Sequence, residues 1–264
     1  LQQTGVTNCL NSLGLDFESY GTVRMMMRST NEARGIVGTV DSPLGAKGGP
    51  LLLECLPSRI ATEFDAVGLS LRAVDHSAVS ADICILGQAW HLVHALWPEL
   101  ASSIEHLVRC VHLLKSPSPE VDCSYSRPAL PFSVFLSVPD HGAHARIERA
   151  TEALVHETMH LQLSLIERRI PLIESGRTNA FAFSPWRNCE RKVQGVLHAL
   201  YVFVVVKELW QRAVQRAPFG LDLGFAEARV HTIRDEVARA HHLAVSPGLS
   251  VEGHQLVRQL LALG

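Results

Sequence analysis

The sequence has no excess of positive charge: 24 Lys and Arg stand against 26 Asp and Glu, for a formal charge of -2, and the two signs are interspersed. Neither nucleic acid nor an anionic membrane surface is implied as a partner, because both call for a broad cationic face. Cysteine is sparse and scattered. Cys9, Cys55, Cys84, Cys110, Cys123 and Cys189 contain no CxxC pair and no dense framework, which argues against zinc knuckles and a disulfide scaffold and reads as reduced thiols in a cytoplasmic protein. Long apolar runs are missing too. The longest, around residues 197–206, includes His198 and Tyr201 and stops at Lys207 and Glu208, short of the roughly 18 residues of a membrane span; a buried helix is expected. No repeat, no low-complexity tract and no basic segment leading into an apolar one is found, so export is not expected. The first residue is Leu rather than Met, which reads as a trimmed chain or a piece of a longer polypeptide.

What is present is a chain of 264 residues, 47% of them hydrophobic, enough for one substantial core or two small ones. The expected fold is mainly α with a small β element (α+β), carrying a helical metal site formed by two long helices. Residues 1–115 form a helical N-terminal region and residues 116–264 a metal-site region, together one compact unit. Apolar positions three or four apart, such as Ile83, Leu86, Trp90, Val93 and Leu96, then Ile104, Leu107, Val111 and Leu114, predict helices up to about residue 114, interrupted by a loop over 45–50. Residues 121–138 favour two short strands. The helical pattern returns near residue 143 and runs through Arg146, Ala150, Leu154, Leu161 and Leu165 until Pro171, which no helix interior accepts. A polar loop then leads through Ser184, Pro185 and Trp186 into a second long helix, predicted over residues 189–214. Two further helices, about 224–244 and 251–263, complete the chain.

The motif helix contains His156, Glu157 and His160 as HExxH. Positions i and i+4 lie one above the other on a helix, so both imidazoles turn toward one ion, while Glu157 is rotated by about 100° and borders that face. Fourteen histidines make a chance match more frequent than usual, and satisfied core histidines are the bland alternative. A catalytic ion usually has about three protein ligands. His198 is the candidate third, since it sits in the most apolar run of the chain, where an unpartnered imidazole is costly. In a helix from residue 189, Arg191, Gln194 and His198 share a face, with Arg187 one turn earlier; a guanidinium there suits a carboxylate. Two surface arginines at a helix start are the plain alternative. His91 and His94 are i, i+3 without a carboxylate and read as core or surface. His141 and His144 flank the motif helix, within reach of the site mouth or simply solvated. His106, His112, His231, His241, His242 and His254 have no constellation, and Met25, Met26 and Met27 read as core packing.

Four segments in order, SYSRPALPFSVFLSV from Ser124, EALVHETMHLQLSLIE from Glu152, SPWR from Ser184 and RKVQGVLHALYVF from Arg191, resemble the HExxH-motif peptide-modification family over roughly residues 120–210. The resemblance implies an iron(II)- and 2-oxoglutarate-dependent dioxygenase that β-hydroxylates a residue of a ribosomally made precursor peptide in natural-product biosynthesis. It implies Fe(II) held by His156, His160 and His198, with 2-oxoglutarate and O2 as co-substrates and the distal carboxylate of 2-oxoglutarate held by Arg187 or Arg191 beside Gln194. Three histidines depart from the usual oxygenase set of two histidines and a carboxylate, and Glu157, which a peptidase would use catalytically, takes a supporting or substrate-contacting role. A zinc metallopeptidase with Glu157 as general base, and a non-catalytic peptide-binding module, are the rival readings. Residues 132–138 are the expected place for an extended peptide to pair with a sheet edge. The sequence leaves the oligomeric state open.

Overall fold

The computed structural model describes residues 35–43, 49–55, 71–72, 76–126 and 132–264. One mixed five-stranded sheet draws on both sides of residue 115. Strands β1 (Gly35–Val40) and β2 (Leu51–Cys55) pair antiparallel, β3 (Cys110–Leu113) joins β2 in parallel, β5 (Ser133–Leu136) joins β3 in parallel, and β4 (Ser124–Ser126) closes the sheet antiparallel to β5, in the order β1-β2-β3-β5-β4. The inner strands are short and apolar because they are covered: all four residues of β3 are buried, as are the last three of β5.

The expectation of a helical stretch up to residue 114 is corrected here, since 35–40, 51–55 and 110–113 are strands. Each is an apolar run of only four to six residues, and runs that short fit a covered strand better than a helix. Among the described residues, the helices of this half are α1 (His76–Leu96) and α2 (Pro98–Leu107), the latter starting on a proline whose missing N–H costs nothing there. Cys9, Met25, Met26 and Met27, and most of the 45–50 loop, lie outside the described residues.

The motif helix is α3 (Arg146–Glu167), packed between α1 and the long helix α4 (Val193–Arg216), with β4 and β5 against its side. It ends at Glu167, four residues before Pro171, whose ring would strike the carbonyl of the residue four earlier. Helix α4 buries Val196, Leu197, Leu200, Val204, Leu209 and Trp210, and each such side chain contributes roughly 1.5–3 kcal/mol of hydrophobic stabilisation. By length and composition α4 would suffice to cross a membrane, but 67% of its most apolar window is buried inside the protein. Helices α5 (Leu223–Arg239) and α6 (Val251–Leu263) pack on α4 and are capped by Asp222 and Ser250, which accept from the backbone of Phe225 and Gly253. A 3-10 turn, His241–Val245, lies between them.

The second long helix begins at Val193, not at residue 189. Residues Cys189–Lys192 form β7, paired antiparallel with β6 (Phe181–Ser184). Pro185 opens the connecting turn, and Asn188 closes it in the left-handed region at φ 50, which asparagine tolerates better than most side chains. The charged CERK run has good helix formers, but pairing with FAFS overrides that local preference.

The start of α6 is pinned to the chain just beyond α3: Ser250 Oγ donates to the Pro171 carbonyl at 2.6 Å and Ser250 N to that of Leu172 at 3.0 Å. A Cβ on Gly253 would lie 2.1 Å from the Leu172 carbonyl oxygen. Gly253→Ala should therefore lower stability by about 1–3 kcal/mol, the usual cost of overpacking. Urea unfolding measures it, and a midpoint equal to wild type would show that the α6 contact does not hold.

Candidate metal centre

On α3, Glu148, Glu152, His156 and His160 follow one another at intervals of four residues, so they form one ridge of the helix. Each finds a partner from the second half of the chain or along the ridge itself. Glu148 Oε1 accepts from Asp222 N at 2.8 Å. Glu152 takes both forks of Arg229, with Nη2 to Oε1 at 2.6 Å and Nε to Oε2 at 2.9 Å, and also accepts from Trp210 Nε1 at 2.9 Å. Burial opposes the charge of Arg229, yet the bonds and charge of Glu152 leave its guanidinium more firmly protonated than usual.

The two motif histidines meet through their Nε2 atoms, 3.1 Å apart. Two imidazole nitrogens bound at roughly 2.0–2.1 Å to neighbouring positions of one ion stand about 3 Å apart, so the pair fits a shared metal ion. His198 joins the cluster from α4, but with a different edge: its Nδ1 is 3.3 Å from His160 Nδ1, and its Nε2 is 2.9 Å from Glu167 Oε2. His160 thus turns one nitrogen to each neighbour, and the three rings do not aim three nitrogens at one point. Among the described residues, no group of three or more His, Cys, Asp or Glu side chains is arranged to hold one ion. Burial first, then the neighbouring charges of His156, His198 and Arg191, pushes His160 down to about 2. The ring is neutral at any working pH, the form a metal ligand requires.

Glu157 is not among the residues that line the opening. It is 3% exposed, with Oε1 3.9 Å from His156 Nε2. His156 instead faces a cavity of about 1040 Å3 whose walls include Arg149, Glu152, Phe203, Phe225 and Arg229. Phe203 meets the His156 ring edge-on at 5.2 Å and carries Trp186, of the SPWR segment, stacked on its other side at 5.5 Å and 7°. SPWR, in a hairpin turn, therefore backs the Phe203 ring that meets His156. His141 and His144 line the mouth of the same cavity, and His144 Nε2 lies 2.7 Å from Asp222 Oδ2.

The residues expected to hold a carboxylate are placed less favourably. With 189–192 in a strand, Arg187 and Arg191 do not share a helix face with His198, whereas Gln194, four residues before it on α4, does. None of the three lines the cavity at His156; Gln194 Nε2 donates to Glu167 Oε2 at 2.9 Å, and Arg191 stays near enough for its charge to bear on His160. The arginines inside the cavity are Arg149 and Arg229. Arg149 grips Asp122 with two bonds of 2.7 Å. Sequence reasoning misses both, and Glu167 with them; the four-residue spacing that links Glu148 and Glu152 to HExxH is the one available signal. His91 bonds back to the Gly87 carbonyl, and buried His112 stacks on Phe135 at 4.6 Å, in keeping with structural roles. Cys84, Cys123 and Cys189 are free thiols.

No family model matches the chain, and no curated protein matches it.

The low basicity of His160 gives the metal-free protein a signature. Above pH 6.5 the ring is neutral both folded and unfolded; as pH falls from 6.5 toward 2, the unfolded chain takes up a proton that the folded one refuses, and stability drops. In chelator-treated protein, the urea midpoint should fall between pH 7 and pH 4, and His160→Asn should lose part of that fall. Identical slopes for the two proteins would mean that His160 is not buried as described.

Proposed function

We propose that this protein is an iron(II)- and 2-oxoglutarate-dependent dioxygenase that hydroxylates a β-carbon of a precursor peptide. The observation that carries the reading is the His156 and His160 Nε2 pair, 3.1 Å apart, at a cavity of about 1040 Å3. The ordered resemblance of four segments supports it, with the histidines on α3, Trp186 of SPWR stacked on Phe203, and His198 and Phe203 both on α4. Iron(II) with 2-oxoglutarate and O2 supplies the oxidising chemistry, in which the keto acid leaves as succinate and carbon dioxide and one oxygen atom enters the peptide C–H bond.

The chain's own residues have the following parts. His156 and His160 would hold the ion through Nε2, and two imidazoles would leave other positions for the co-substrate and O2. For His198 to become the third ligand, its ring would have to leave Glu167. Phe203, backed by Trp186, covers one side of the His156 ring. Arg149 and Arg229 offer guanidinium groups to a carboxylate inside the cavity, in competition with Asp122 and Glu152, while Arg191 offers one from the side of His160. Glu157, buried and outside the cavity lining with Oε1 3.9 Å from His156 Nε2, would orient that imidazole rather than meet substrate; the peptidase reading needs it beside the scissile bond.

The expected peptide edge shifts by one strand. Residues 133–136 are interior to the sheet, between β3 and β4; the terminal strand is β4, and its Ser124 lines the cavity. An extended peptide added along β4 would pass the cavity and place a side chain toward His156.

Incubation of the full chain with iron(II), 2-oxoglutarate, O2 and candidate precursor peptides, followed by mass spectrometry, should yield succinate and a peptide gain of one oxygen. His156→Ala and His160→Ala should each reduce turnover by at least about 100-fold, in line with loss of a ligand, whereas Glu157→Gln should retain activity. Oxygen-independent cleavage of the peptide, abolished by Glu157→Gln, would replace this reading with the zinc peptidase; peptide binding without turnover would replace it with a binding module.

A further inference from the structure

The histidine cluster continues past the proposed ligands as a single chain of contacts. Glu167 Oε2 meets His198 Nε2 at 2.9 Å, His198 Nδ1 meets His160 Nδ1 at 3.3 Å, and His160 Nε2 meets His156 Nε2 at 3.1 Å. The path joins the last turns of α3 to α4, and Glu167 and His198 are themselves mostly buried, with side chains 15% and 13% exposed.

Donor and acceptor rules leave one assignment for a neutral chain. A carboxylate oxygen only accepts, so His198 carries its proton on Nε2 and presents a bare Nδ1. That bare nitrogen can only accept, so His160 carries its proton on Nδ1. His160 Nε2 is then a lone pair directed at His156. The Glu167 carboxylate is itself held in position, since Oε2 also accepts from Gln194 Nε2 at 2.9 Å, while Oε1 is buried with no hydrogen bond. A buried oxygen without a partner is costly, and the contacts of Oε2 are what hold the group in place.

We infer that Glu167 and His198 are positioning residues, a carboxylate and an imidazole in series that fix the tautomer of His160 and keep its Nε2 free to ligate. The consequence for metal binding rests on the ion site proposed above; the tautomer does not. Partners of this kind orient a ligating histidine and raise its basicity. His198 would thereby act on an ion through His160, and the two rings differ: His160 has a bare Nε2, while His156, whose Nε2 donates to His160 Nε2, would have to carry its proton on Nδ1 in order to ligate.

Long-range proton to nitrogen NMR correlations on the full, metal-free chain, with isotope-labelled histidine, read the tautomers directly. His160 is expected to show a pyridine-type Nε2 and a pyrrole-type Nδ1, and His198 the reverse. Glu167→Ala should release this assignment, giving averaged nitrogen signals for both rings, and should weaken zinc binding, measured by competition with a chelator, by about 10–100-fold; Glu167→Asp should restore part of both. A proton on Nε2 of His160 in the wild type overturns the inference, as does a Glu167→Ala protein with unchanged tautomers and unchanged zinc affinity. If that variant does not fold, the wild-type spectrum still decides. A wild type with the expected tautomers that binds neither zinc nor iron(II) would sink the ion reading and leave the relay standing.

Discussion

Helix α3 is enclosed by α1, α4 and the β4/β5 side of the sheet, yet it carries carboxylates and imidazoles along one ridge. Charged or polar groups in such a position are tolerated only when each is met by a partner, because removal from water costs several kcal/mol for an unpaired ion. The fold meets them one by one: Asp222 N at Glu148, Arg229 and Trp210 at Glu152, His198 at His160. The docking of α4 and α5 on α3 is therefore fixed by polar pairing as much as by apolar burial. Sliding α4 by a turn would part Trp210 from Glu152 and His198 from His160 at once.

That constraint also explains why the site has two unlike sides. Toward the cavity, His156 looks onto Arg149, Arg229 and the Phe203 ring, a surface of paired charges and aromatic carbon. Away from it, His160 is half-buried against His198, whose other edge meets Glu167. A ligand arriving through the opening meets His156 first. The inner histidine is shielded and neutral, and its setting comes from α4 and the last turn of α3.

Much of this was legible in residue spacing. Alternation by three and four located α1, α3, α4, α5 and α6, and the proline at 171 marked where α3 must stop. The two strands expected within 121–138 are β4 and β5. Where spacing misled, the competing force was pairing between segments. CERK is a plausible first turn of a helix, but it lies against FAFS as β7, and the arginine face predicted from a continuous helix disappears with it. Residues 35–40 and 51–55 gain their strand character from each other.

The sequence by itself determined that His156 and His160 share a helix face, because the geometry of one helix is a local property of backbone hydrogen bonds. It also determined that an apolar helix bearing His198 follows. Only the tertiary structure decided which nitrogen each ring presents, that Glu167 rather than Glu157 stands at the end of the imidazole chain, and that Arg149 and Arg229 are the guanidinium groups in the cavity. Those facts depend on side chains tens of residues apart in the chain. Their rotamers are selected by close packing between helices, which no spacing within a single helix encodes.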